Sequence, residues 1–353
     1  MENIPNHNIL LWLPSPMGDA ILATPALRAI RSRFTSAHIT FFANSVVRQI
    51  LSPTPFADAW LDQTEQNPFS IARKLKLHKF THAILFKNSF ASALACFLAG
   101  IPFRIGYARE GRALLLTDKL YPPRLSTGRF KPISALDYYL AVASCLGAQT
   151  KDTSLELSTE PHTCEKLKTL LPQIFNRKGP LVILVPGAAA GPSKCWLTDR
   201  FAQTADRIIA DYNATVVLSV APNPTEKQIA AEIVSSARRN LINLADHPLD
   251  LTTLKSLFSL ADLVIANDTG PRHIAIAFKR KIILLVGPNN PVWTETGCKD
   301  EIEIAGAAPC APCDKPVCKK NHHLCMQSIT VDMVCQSAAG ILNAGSFGKR
   351  GGI

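Results

Sequence analysis

Three segments place chemically capable side chains directly after short apolar runs. The first, Pro14-Ser15-Pro16-Met17-Gly18-Asp19, follows the run Asn8–Leu13 and leads into a helical pattern over Asp19–Phe34. Gly18 permits close backbone approach, and the Asp19 carboxylate has two uses at such a place. It can cap the start of the helix, or it can accept the proton of an attacking hydroxyl. The second segment, Val185 to Trp196, is rich in small residues, Gly187 and Gly191 among them, and carries Lys194. Small residues let backbone N–H groups approach a phosphate and a lysine adds a point charge; an ordinary turn with a surface lysine is the alternative. The third is Asn267-Asp268-Thr269-Gly270-Pro271-Arg272-His273. Pro271 suits a first helical turn, which leaves the N–H groups of Thr269 and Gly270 to face an anion. Asp268 and Thr269 can equally serve as caps, and His273 as a packed histidine.

The motifs that are missing narrow the chemistry. The chain has no Gly-x-Gly-x-x-Gly, no Gly-Lys-Ser/Thr, no Asp-x-Asp and no Gly-x-Ser-x-Gly. Dinucleotide chemistry, a P-loop, a carboxylate clamp on a diphosphate-bound metal and a hydrolase elbow therefore lose their usual carriers. Ten cysteines are present, and four of them, Cys310, Cys313, Cys318 and Cys325, fall in one segment beside His322 and His323. The Cys310-x-x-Cys313 spacing is that of a metal knuckle, so the set can make a closed structural zinc site; a redox pair or four free thiols are the alternatives.

The elements needed to position these segments are legible as a repeating strand–helix programme. Asn8–Leu13, His38–Ala43 and Ala83–Lys87 have the length and apolarity of buried strands; so do Leu181–Val185, Thr215–Val220, Leu263–Asn267 and Ile282–Val286. Helical spacing separates them, over Tyr138–Leu146, Pro161–Phe175, Thr198–Tyr212, Thr225–Arg238 and Leu251–Ser259 among others. Alternation of this kind builds parallel sheets covered on both faces, with ligands at the carboxyl ends of the strands. The 353 residues suffice for two such units, and Arg177-Lys178-Gly179-Pro180 is the break between them.

Charge adds a partner class. Lys plus Arg number 38 against 27 Asp plus Glu, a net +11, and twelve of the basic residues lie between Ile71 and Lys131, opposed only by Glu110 and Asp118. A local excess of this size points to an anionic surface or substrate. With aromatic residues at 7% and not interleaved with the cations, a single-stranded nucleic acid platform is not expected. The longest charge-free apolar stretch lies within Ser89–Phe103, short of a bilayer span, and the first basic residue is Arg28, so no signal-peptide pattern is seen. The expected compartment is the cytoplasm.

Together the three segments resemble the glycosyltransferase family nine, the lipopolysaccharide heptosyltransferases. The resemblance rests on Pro14-Ser15-Pro16-Met17-Gly18-Asp19 with Leu22-Ala23-Thr24-Pro25-Ala26-Leu27, on Pro186-Gly187-Ala188 with Gly191-Pro192-Ser193-Lys194-Cys195-Trp196, on Ala261–Val264 through Asn267–Pro271 with His273, and on Arg104-Ile105-Gly106-Tyr107. It leans toward the second-heptosyltransferase sub-group. It implies an α/β, GT-B fold: two Rossmann-like domains with parallel sheets facing across a cleft. An acceptor domain would cover 1–176, a nucleotide-sugar domain 177–343, and a flexible tail 344–353.

The implied reaction is an inverting, metal-independent transfer of L-glycero-D-manno-heptose from ADP-heptose to the inner core of lipopolysaccharide, either Kdo-lipid A or heptosyl-Kdo-lipid A. A related transferase with another nucleotide sugar or acceptor, or a non-catalytic nucleotide-sugar-binding protein, is the alternative. The resemblance makes Asp19 the general base and Lys194 the group that neutralises the departing ADP. It gives the donor Gly187, Asp268, Thr269, Gly270 and His273, with Glu226 near the ribose. Ser15, Gly18 and Arg104 fall to the acceptor, joined by Arg73, Lys74 and Lys76 of the basic window. No cofactor for catalysis, no nucleic acid, a monomeric state and a peripheral place on the inner membrane's cytoplasmic face complete the expectation. Asn243-Leu244-Ala245-Asp246-His247, Ala189-Ala190 and Trp12 depart from the family pattern.

Overall fold

The computed structural model describes residues 7–344. The tail expected from residue 344 lies, Ala344 apart, outside the described residues. Two compact units divide the chain: the residues up to Ser158 with Val292–Thr296, and Thr159–Pro291 with the residues from Gly297 onward. The division thus falls before the helix Pro161–Leu170, where the sequence placed it after that helix. The reason is packing: that helix lies against Leu251–Leu260 of the second unit.

In the first unit the chain runs β1 Asn8–Trp12, α1 Met17–Leu22, α2 Thr24–Arg33, β2 His38–Ala43, α3 Ser45–Leu51, β3 Ala59–Asp62, α4 Pro68–Lys76, β4 His82–Leu85, α5 Phe90–Leu98, β5 Phe103–Tyr107, β6 Asp118–Leu120 and α6 Ala135–Cys145. The strands form one parallel sheet in the order β3-β2-β1-β4-β5-β6. The central strands are buried almost completely, which is why they read as unbroken apolar runs. α1, α2, α3 and α6 pack among themselves, and α4 packs on α5.

The single helix expected over Asp19–Phe34 is two helices. Pro25 has no N–H to return to the Ile21 carbonyl, and the Thr24 hydroxyl donates to that carbonyl instead at 2.7 Å. Asn67 and Ser89 cap α4 and α5 through their side chains.

The second unit runs α7 Pro161–Leu170, α8 Pro172–Phe175, β7 Leu181–Val185, α9 Thr198–Tyr212, β8 Thr215–Leu218, α10 Pro224–Ser236, β9 Ile242–Asn243, α11 Leu251–Leu260, β10 Leu263–Asn267, α12 Gly270–Ala277, β11 Lys281–Val286, β12 Glu301–Ala305, α13 Leu324–Gln327 and α14 Val331–Leu342. Its sheet is also parallel, ordered β12-β11-β10-β7-β8-β9. The core on one face of that sheet joins Val182 and Leu184 to Phe201, Ile208, Trp196 and the α14 residues Val334 and Ala338. The edge strands β3, β6, β9 and β12 have no counterpart in the sequence reading. They are two to five residues long and none is a fully buried run.

Each unit reverses its strand order once, between β1 and β4 in the first and between β7 and β10 in the second. At such a reversal the loops leaving the two central strands splay to opposite sides and open a crevice at the carboxyl ends. All three chemically capable segments leave these strands.

Candidate active site

In the first unit Asp19 follows β1 at the reversal. α1 begins after Pro16, whose side chain caps nothing, and Asp19 lies in its first turn. The capping alternative therefore falls away: no hydrogen bond or ion pair to the Asp19 carboxylate is present among the described residues. Burial raises its pKa above the usual 3.8, so the group is a half-buried carboxylate with its accepting capacity unused. Ser15 and Gly18 flank it; the Ser15 carbonyl accepts from Asn44 Nδ2 at 3.1 Å, which ties this loop to the start of α3.

Lys87, just past the end of β4, approaches the same crevice and was not singled out by the sequence. Its N–H bonds the Trp12 carbonyl at 3.2 Å, its ammonium lies 3.4 Å from Gln63 Oε1 and 6.0 Å from the Trp12 ring, and burial lowers its pKa. The signal was a lysine ending a buried strand, lost in a long list of basic residues.

The residues expected to hold the acceptor do not behave alike. Arg104 stands at the amino end of β5, away from the carboxyl-end crevice, and its guanidinium donates to the carbonyls of Leu115, Ile101 and Pro102. It is a latch of the fold, and the acceptor role is withdrawn for it. Lys74 donates to the Asp62 carbonyl at 2.7 Å and pairs with Glu65 at 3.6 Å. Arg73 and Lys76 are exposed.

In the second unit the loops after β7 and β10 meet. Asp268 is the hub: its carboxylate lies 3.3 Å from Lys194 Nζ, 2.9 Å from Asn289 Nδ2 and 3.2 Å from Arg272. Arg272, almost fully buried, also forks onto both oxygens of Glu301 at 2.5 and 2.6 Å. Asn267 joins the two loops, accepting from the Trp196 N–H and donating to the Pro186 carbonyl. Thr269 is the N-cap of α12 with no side-chain cap bond, so Thr269 and Gly270 begin a helix with Pro271 in its first turn. His273 is buried and held neutral, its pKa pushed down to about 3 by burial and by the Arg272 charge, and its Nδ1 has no hydrogen-bond partner.

Asn267, Arg272 and Asn289 were missed by the sequence. For Arg272 a signal existed, its i,i+4 spacing from Asp268; for Asn289 there was none.

Gly187 and Glu226 are also brought together. A Cβ on Gly187 would fall 2.3 Å from Glu226 Oε2, so only glycine leaves room for the carboxylate. Glu226 accepts from the Ala221 N–H at 2.7 Å and its own N–H is capped by Asn223, which holds it over the end of β7.

The four thiols of the cysteine segment are neighbours: Cys310, Cys313 and Cys318 all act on the Cys325 thiol. Among the described residues no three His, Cys, Asp or Glu side chains stand together as metal ligands, and all ten cysteines are free thiols. The zinc expectation for Cys310, Cys313, Cys318 and Cys325 thus has no formed ligand set. Cys325 is buried in α13 near Gly287, while backbone N–H groups, that of His323 foremost, hold the Cys318 thiol below its usual pKa.

The segment also braces the Lys194 loop. Ser193 donates from its N–H to Pro316 and from its hydroxyl to Lys315, and its carbonyl accepts from His323 Nε2 at 2.7 Å. Gly191, at φ +135°, lies so close to Pro316 that a Cβ would come within 2.3 Å of its carbonyl oxygen. Replacing His323 with Ala is expected to weaken binding of the ADP that the resemblance implies by about 3- to 10-fold, the worth of one hydrogen bond, while His323→Gln restores most of it. Titration calorimetry checks this; equal loss in both variants would assign His323 to folding alone.

A family model described as glycosyltransferase family 9 (heptosyltransferase) matches residues 69–324. The chain belongs to this family. This glycosyltransferase is 26% identical over 305 residues to lipopolysaccharide heptosyltransferase 2 of Escherichia coli, covering 81% of this chain and 84% of that protein. It is 22% identical over 339 residues to lipooligosaccharide heptosyltransferase 2 of Campylobacter jejuni, covering 95% and 98%.

Two solved structures share its fold. One is ADP-heptose lps heptosyltransferase II of E. coli, at a TM-score of 0.79 and 22% identity, covering 96% of this chain and 99% of that one. The other is a family 9 glycosyl transferase of Veillonella parvula, at 0.81 and 20%, covering 96% and 98%. The α/β GT-B fold inferred from the motifs is borne out, as is the enzyme class.

Proposed function

We propose that this enzyme transfers L-glycero-D-manno-heptose from ADP-heptose to the inner core of lipopolysaccharide, with inversion and without a divalent metal. The observation that carries this reading is the crevice between β7 and β10, where the Lys194 ammonium and the start of α12 meet beside Asp268. A departing ADP accumulates negative charge on its diphosphate, and fixed positive groups stabilise that charge as it develops. Lys194, half-buried beside Asp268, is the cation within reach of the diphosphate, since Arg272 is buried and tied down by Glu301. Glu226 is suited to accept from ribose hydroxyls, and Gly187 leaves it the space.

Asp19 is the base for the acceptor hydroxyl. A single displacement at the anomeric carbon, with the hydroxyl entering as ADP leaves, inverts the configuration. The names of the E. coli and C. jejuni relatives support the heptose and the lipopolysaccharide acceptor. A lipid-borne acceptor would bring the enzyme to the cytoplasmic face of the inner membrane. Among the described residues no helix is long and apolar enough to cross a membrane, and the contact proposed is peripheral.

The test is a transfer assay with ADP-heptose against Kdo-lipid A and heptosyl-Kdo-lipid A. The expected result is one added heptose on heptosyl-Kdo-lipid A, with an inverted anomeric centre by NMR and an unchanged rate in chelator. ADP-heptose binding without turnover on either acceptor would overturn the reading.

A further inference from the structure

The second layer of the first unit has an outer face that the transfer chemistry does not use. α5, Phe90–Leu98, turns Ser92, Ala93, Ala95 and Cys96 inward, where they are buried. Its outward positions are Phe90, Leu94, Phe97 and Leu98, at i, i+4, i+7 and i+8, so its outer stripe is as apolar as its inner one. A helix that is apolar all round belongs in a core or against an apolar medium. Neighbouring α4 buries Ile71, Ala72 and Leu75 and turns Phe69, Arg73 and Lys76 outward, with Leu77 following at 79% exposure. The turn Arg112–Leu115 also packs on α5, and its Leu114 is 93% exposed. The Arg104 guanidinium stacks at 5.4 Å over the Phe97 ring, so cation and apolar groups are contiguous.

Charge says what covers this face. From Gln66 to Arg109 the sequence has no Asp or Glu, while Arg73, Lys76 and Lys79 are exposed within it. A second copy of the chain, related by a two-fold axis, would set these cations against their own kind. An anionic bilayer offers both complements at once, phosphates for the cations and acyl chains for the phenylalanines and leucines. Exposed phenylalanines do interleave with cations here, against the expectation from composition. The leucines beside them have no ring to stack on a base, however, and nucleic acid would leave them uncovered.

We propose that the outer face of α4, α5 and the Arg112–Leu115 turn is the surface by which the enzyme rests on an anionic lipid bilayer. The proposal builds on the lipid-borne acceptor proposed above and names the part of the chain that meets the lipid. Peripheral binding of this kind combines a shallow apolar insertion with headgroup attraction, and each half is separately testable.

Co-sedimentation of the full chain, without donor or acceptor, with vesicles of phosphatidylethanolamine and phosphatidylglycerol should show binding that falls as salt rises. Vesicles of phosphatidylcholine alone should bind at least roughly tenfold less. The double variant Phe97→Ser/Leu114→Ser should lose roughly tenfold in binding to the anionic vesicles and keep full turnover of a soluble, lipid-free acceptor. Equal binding to both vesicle types, no binding to either, or equal affinity for a single-stranded oligonucleotide would overturn the proposal. So would a dimer that Phe97→Ser converts to monomer. Because vesicle binding is read without the reaction, it can fail while heptose transfer stands, and the reverse.

Discussion

Asp19→Asn is expected to lower kcat by roughly 10²–10⁴-fold, the range for removal of a general base, without a loss of stability. The two halves of that expectation come from one observation. The carboxylate stands in the first turn of α1, half-buried, without a hydrogen bond or ion pair among the described residues, and burial raises its pKa. An acid whose folded-state pKa is raised destabilises the fold once it ionises. The penalty is absent below the unfolded value, near 3.8, grows as pH rises through the folded value, and is full at neutral pH. Asparagine carries no such penalty, so the variant should melt at the same temperature as the parent or higher at pH 7, with the difference closing below pH 4.

Activity follows the opposite sign. A base must be ionised, so the parent's kcat should fall as pH drops through the raised Asp19 pKa, and the residual activity of Asp19→Asn should lack that acid limb. Steady-state kinetics across pH with thermal melts of both proteins checks all of this. A stability loss in step with the activity loss would return Asp19 to a structural role.

Asp19 also shows where the sequence was sufficient. Proximity to a strand's carboxyl end identified the loop, and two roles for the carboxylate remained; only the position of the N-cap, at Pro16, separated them. The central strands were readable because burial on both faces demands unbroken apolar runs, whereas β9, two half-buried residues, leaves no such trace. Arg104 went the other way. Its place in a family segment suggested a ligand, but the donors of an arginine are claimed by whatever carbonyls the fold brings near, and these were three from its own neighbourhood. The cysteine spacing said nothing of the backbone carbonyls between those cysteines, which hold the donor loop. Lys315 and Pro316 accept from Ser193, contacts between positions over a hundred residues apart that no local pattern encodes.

Lys194→Ala should lower kcat by roughly 10²–10³-fold, comparable to deleting one group that stabilises developing negative charge, with a smaller rise in the donor KM. The asymmetry is the substance of the prediction. ADP-heptose already carries a charged diphosphate that Lys194 can hold, so part of its contribution is ground-state binding. The charge that grows on the leaving oxygen exists only as the glycosidic bond breaks, and that part appears in kcat.

The fold should tolerate the change. Asp268, which lies 3.3 Å from Lys194 Nζ, keeps Arg272 and Asn289, so no carboxylate is left buried without a partner. Lys194→Arg should recover only part of the rate, because a planar fork does not present its charge where a point ammonium does. Parallel measurement of kcat, donor KM and ADP affinity decides the matter. An unchanged kcat with a raised donor KM would make Lys194 a binding group for the diphosphate and move the leaving-group role to the first N–H groups of α12.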